Sequence, residues 1–118
     1  MDKDVYKKYN GRLSIRAIER ASKELYEKAP KSSVISIRVL LDIVSHQGDS
    51  PANIGDRLVD NRDSTSVQNA IIKLEKMGWF KIHQTEYKNG PYPRKQVFLT
   101  SKLAELLELT SEQVIINQ

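Results

Sequence analysis

Apolar residues recur at three- and four-residue spacing along most of the chain, and the phase resets at proline and glycine. Leu13, Ala17, Ile18, Ala21 and Leu25 share one face and predict a helix over residues 12–29, stopped by Pro30. Val34, Ile37, Leu40, Leu41 and Val44 predict the buried stripe of a second helix over 33–46, with Gly48 as its exit. Ser50-Pro51 is a start signal, an N-cap followed by proline at the first helical position. A short third helix over 51–59 then buries Ile54, Leu58 and Ala52. Asp63 or Ser64 caps a fourth helix that ends at Gly78, with Val67, Ala70, Ile71 and Leu74 facing inward.

The period next changes to two. Trp79-Phe80-Lys81-Ile82-His83 and Lys95-Gln96-Val97-Phe98-Leu99 predict a pair of strands. Between them, Asn89-Gly90, Pro91 and Pro93 exclude regular structure and predict an exposed loop. Thr100 caps a closing helix over 101–109, and Thr110-Ser111-Glu112 starts one more short turn. The polar, charged residues 1–11 predict a loose arm. The expected organisation is a single domain over 1–118, with an arm (1–11), an N-terminal helix (12–29), a core (33–103) and a C-terminal helix and tail (104–118). The expected fold class is mainly α (α+β). A short helix, a tight turn and a second, capped helix give a helix-turn-helix pattern, and the hairpin behind it is a wing.

Composition narrows the class. With 118 residues and 39% hydrophobic residues, one modest core is expected. Cysteine is absent, which removes a disulfide framework and a thiolate metal site. No apolar run exceeds three residues, so no membrane span is expected and the protein is read as soluble and cytoplasmic. The net charge of +4 is unevenly spread. Residues 62–95 hold seven basic and three acidic side chains, and residues 1–38 hold ten and five. The remainder is acidic. Two basic regions suit an anionic partner.

The fourth helix supplies the chemistry for one. A major groove admits a single α-helix that carries short polar side chains near its N-terminus. Here Ser64, Thr65, Ser66, Gln68 and Asn69 fill that role as candidate base readers. Arg62, before the helix, and Lys73, further along it, are candidate phosphate holders. Lys88, Asn89, Tyr92, Arg94 and Lys95 belong to the hairpin, where a wing would meet the minor groove or backbone. Lys8, Arg12, Arg16 and Arg20, spaced by four, form either a second phosphate-contacting stripe or a solvated face paired with Glu19, Glu24 and Glu27. The second reading is favoured. His46 and His83 are isolated, so no metal site, cofactor or catalytic constellation is expected, and the protein is read as not an enzyme.

At residues 33–103 the chain resembles the MarR-type winged-helix transcription regulators. Val39-Leu40-Leu41-Asp42-Ile43 is similar to the family's helix before the helix-turn-helix, and residues 50–58 to its first element. Residues 65–80 are similar to the recognition helix and first wing strand, with Leu74-Glu75-Lys76-Met77-Gly78 the most specific part. Arg94 and Val97-Phe98-Leu99-Thr100 match the wing arginine and closing strand. Three features differ from the family. Tyr92-Pro93 replaces the acidic residue before the wing arginine, Ser101 replaces a glycine after the closing Leu-Thr, and about eighteen residues follow Thr100 where the family has two long dimerising helices. The resemblance implies a transcriptional regulator that binds double-stranded DNA as a homodimer. Without the two long helices the family's usual dimer and its small-molecule effector cleft are not expected, and the first helix is left to supply an interface. Two other readings stand beside it. One is a winged-helix protein-interaction module, and the other is a DNA-binding replication or segregation factor of a plasmid or phage.

Overall fold

The computed structural model describes the backbone of residues 5–85 and 94–116 and the side chains of residues 7–84 and 95–110. Among these residues the chain is mainly helical, with two small antiparallel ribbons. Helix α1 (Ile15–Lys28) starts where the Ser14 hydroxyl accepts from the Ala17 N–H, and buries Ala17, Ala21 and Leu25. Pro30 opens a 3-10 turn (Pro30–Ser32) that leads into α2 (Ser33–Ser45). Helix α3 (Pro51–Val59) begins at the Ser50 cap, with proline at its first position, as its sequence predicts.

Helix α4 (Thr65–Lys76) has Ser64 as its cap and Val67, Ala70, Ile71 and Leu74 buried. It ends in a reciprocal pair of bonds, from the Gly78 N–H to the Glu75 carbonyl and from the Trp79 N–H to the Leu74 carbonyl. That closure needs a left-handed residue after the cap, and Gly78 supplies it with φ +78°. Strands β2 (Phe80–Thr85) and β3 (Arg94–Leu99) pair antiparallel, Phe80 with Leu99 and Ile82 with Val97. Asp49 bridges to Val97, so the segment before α3 lies along the hairpin as well. Thr100 caps the short helix α5 (Ser101–Leu106). Trp79 is the largest fully buried side chain of the core that these elements share.

Three expectations are corrected. The segment read as a loose arm over 1–11 contains strand β1 (Val5–Asn10). The segment read as a C-terminal helix and tail over 104–118 contains β4 (Thr110–Ile116), after a helix that stops at Leu106. The two strands pair antiparallel, Val5 with Ile116 through Asn10 with Thr110. The Gln47 side-chain amide anchors the ribbon by accepting from the Tyr9 N–H (2.8 Å) and donating to the Tyr9 carbonyl (2.7 Å). The buried face of α2 is also rotated from its expected phase. Ser36, Val39, Leu40 and Ile43 are buried, while Val34 is 73% exposed. Helix α2 touches α1, α3, α4 and β3, so no single stripe defines its inside.

One consequence concerns Ser36. Its hydroxyl is fully buried and has no hydrogen-bond partner among the described residues. An unsatisfied buried hydroxyl is a net loss, and alanine is the better helix former. Ser36→Ala is therefore expected to raise stability by about 1 kcal/mol, read as a higher denaturation midpoint with an unchanged slope.

Candidate nucleic-acid interface

The capped start of α4 fixes which side chains face outward. At 100° per residue, Thr65, Asn69, Ile72 and Lys76 fall within an arc of about 60°, with Gln68 about 40° beyond its Ile72 end. All five are exposed. Of the expected base readers, Thr65, Ser66, Gln68 and Asn69 are exposed as well. Ser64 is not: it is 6% exposed, and its hydroxyl accepts from the Val67 N–H while lying 3.0 Å from the Ser66 hydroxyl. Capping occupies the oxygen that base reading would need, so Ser64 leaves the reading set.

Beside α4 lies an open concavity of about 960 Å³. Gln68 and Ile72 of α4 line it with the first turn of α3, Arg62, Ile82 of β2 and Lys95 of β3. Its walls therefore come from α3, α4 and the hairpin, and two cationic side chains and one carboxylate, Asp63, line it. Sequence reasoning missed the contribution of Ser50, Ala52 and Asn53. The Ser-Pro start signal was legible, but which way that helix end points is a tertiary fact.

The basic residues divide. Lys95 is exposed on the concavity. Arg62 is exposed too, but it donates to Asp56 at 2.5 Å and to Asn53 at 3.2 Å, so a phosphate would compete with an existing ion pair. Lys73 points along the other flank of α4, where its ammonium donates to the Ser32 hydroxyl at 2.8 Å. Lys88, Asn89 and Tyr92 lie outside the described residues. For Arg94 only the backbone is described, in β3 opposite Thr85. Arg12, Arg16 and Arg20 are exposed, and no ion pair joins them to Glu19, Glu24 or Glu27 among the described residues. The expectation of a paired, solvated face thus finds no ion pair there.

A charged clamp holds the site from beneath. Arg57 of α3 forks onto Asp42 of α2 (3.0 and 2.8 Å) and reaches Asp49 at 2.6 Å. Asp49 also accepts from the Ser50 N–H and the Asn53 side-chain amide. Burial opposes the charge on Asp49. Hydrogen bonds from Asn53, Arg57 and Ser50, together with the Arg57 charge, outweigh that and hold its carboxyl below the ordinary range. The Arg57 guanidinium is pushed above its ordinary value, chiefly by its hydrogen bonds to Asp42, against partial burial, with Asp49 adding to the rise. Arg38 of α2 donates to the Leu58 carbonyl near the end of α3. Together these contacts fix α3 on α2 and leave its first turn facing the concavity.

Among the described residues no helix is long and apolar enough to cross a membrane, and no group of three or more His, Cys, Asp or Glu side chains is placed to hold a metal ion. Comparison with protein families, with curated proteins and with solved structures finds no match.

Proposed function

We propose that this protein is a sequence-specific double-stranded DNA-binding regulator of winged helix-turn-helix type, with α4 in the major groove and the β2–β3 hairpin on the adjacent backbone or minor groove. The observation that carries the reading is the outward row of Thr65, Gln68 and Asn69. It is uncharged and exposed, and its Gln68 lines the concavity together with Lys95, Arg62 and Asp63. Amide side chains can pair bidentately with adenine, and a nearby cation holds phosphate without reading sequence. Thr65, Ser66, Gln68 and Asn69 are the proposed readers. Lys95, Arg62 and Arg94 are the proposed backbone holders, and Lys88, Asn89 and Tyr92 would extend them along the loop. Exposed Ile15 and Tyr26 of α1 and Val34 of α2 support a homodimer, because they are apolar groups open to a second copy. Two recognition helices would then address half-sites roughly 34–36 Å apart, and light scattering reads the mass.

The test is competition between selected and random duplex in moderate salt. Asn69→Ala is expected to lose about 1–3 kcal/mol of discrimination at one base pair while keeping non-specific affinity. Lys95→Ala and Lys88→Ala should weaken binding to every sequence and reduce the salt slope by about one each. A protein-interaction module would instead bind duplex no better than its charge allows, whatever the sequence.

A further inference from the structure

We propose that the concavity side of the outward face of α4 reads a methyl group at C5 of a pyrimidine, with Ile72 as the contacting residue. This rests on the DNA-binding reading of the same helix.

Ile72 is 46% exposed and sits at the concavity side of an arc whose other members, Thr65, Lys76 and Asn69, are polar. Other exposed large apolar side chains exist at Ile15, Tyr26, Val34 and Val59, but none of them borders the concavity. Ile72 does, and it is not alone there. Ile71 and Ile82 line the same concavity, as does Ala52 of α3. Gln68, one turn earlier on the same helix, and Lys95 across the gap frame this patch with hydrogen-bonding and charged groups.

The major-groove edge of a base pair carries donors, acceptors and one apolar feature, the C5 methyl of thymine. An isoleucine pressed against a donor or acceptor of that edge would strip water from a polar group without replacing its hydrogen bond. Against a methyl it buries apolar surface on both sides. The position of Ile72 therefore selects for a 5-methylpyrimidine. Thymine and 5-methylcytosine both present that methyl, and they differ in the partner base and in the group at C4.

The experiment uses the full chain and a duplex selected from a random library at about 150 mM salt, where non-specific attraction is weak. Each thymine is replaced in turn by deoxyuridine, which removes only the methyl, and affinity is read by fluorescence anisotropy. At one thymine of the site, affinity should fall about fourfold, the effect of leaving one methyl-sized group unburied. Ile72→Ala should bind the thymine and deoxyuridine duplexes equally, and Ile72→Val should retain part of the difference. Ile72 is half exposed, so these variants should unfold at the wild-type midpoint, which separates a reading defect from a folding one. A second set places cytosine or 5-methylcytosine at the sensitive position. Thymine as the source predicts that neither restores binding, and a methylated cytosine predicts a gain over cytosine. Selective binding that tolerates deoxyuridine everywhere overturns the assignment of Ile72 and leaves the DNA reading intact. Binding with no preference for selected over random duplex overturns the DNA reading itself.

Discussion

Arg57→Ala is expected to lower stability by about 3 kcal/mol, the largest single effect anticipated for a side chain outside the apolar core. Three facts set the size. The Asp42 side chain is only 8% exposed, Arg57 is its ion-pair partner from α3, and the same guanidinium also neutralises Asp49. Removing the cation strips the shared guanidinium from both partly buried carboxylates and leaves Asp42, among the described residues, only the His46 imidazole at 3.7 Å, and breaking such a pair is more damaging than the pair is helpful. The loss should depend on pH in a defined direction. Asp49 is held below its ordinary value, so its contribution is complete above a pH of about 4 and disappears as pH falls through the folded-state value. The gap between wild type and Arg57→Ala should therefore narrow below that pH. Urea denaturation at pH 7 and pH 3 measures it. A gap that widens on acidification would show that the clamp is not ionic.

Gly55→Ala is the second large effect, and its sign decides between two pictures of α3. In an isolated helix, alanine in place of glycine adds roughly 1 kcal/mol. Here a Cβ at position 55 would collide with the backbone carbonyl oxygen of Asn61, in the turn between α3 and α4. That turn is compact: the Asn61 N–H donates to the Gly55 carbonyl, and Asp60 holds a left-handed φ of 52°. Because the obstacle is backbone, the turn itself has to move. Overpacking of this kind typically costs 1–3 kcal/mol, so a net loss of about 1 kcal/mol is expected after the propensity gain. Since the turn sets the angle between α3 and α4, DNA affinity should fall in the variant even under conditions where it remains folded. A stabilised protein with unchanged affinity would mean that the two helices are not held at this contact.

The same residues show what local pattern can and cannot convey. Helix α4 is legible because its cap, its inward stripe and its terminal glycine all lie within sixteen residues, and each has a local mechanism. Its outward face follows as the complement of its inward one. The role of Ser64 is harder to read, because a serine at a helix start can cap or recognise, and only the geometry shows the hydroxyl already taken. Arg62 and Lys73 read as free cations because Asp56 and Ser32 meet them only after folding. The phase of α2 misleads because four elements cover it. The β1–β4 ribbon is the least legible part. Val5 and Ile116 pair across nearly the whole chain, and Lys7-Lys8 gives the first strand the look of a solvated arm. Gly55 falls between these cases. A glycine inside a helical pattern signals close packing, but not what packs against it.

The most direct test of DNA reading by α4 is an amide-resolved titration of the full chain with a selected DNA duplex at about 150 mM salt, where salt has weakened the counterion-release gain that drives non-specific binding. Binding through α4 predicts saturable shifts strongest at Thr65, Gln68, Asn69 and Ile72, with Ala52, Asn53 and Lys95 following, and little change along β1 and β4. Shifts centred on the β1–β4 ribbon, or none that saturate at this salt, would contradict it.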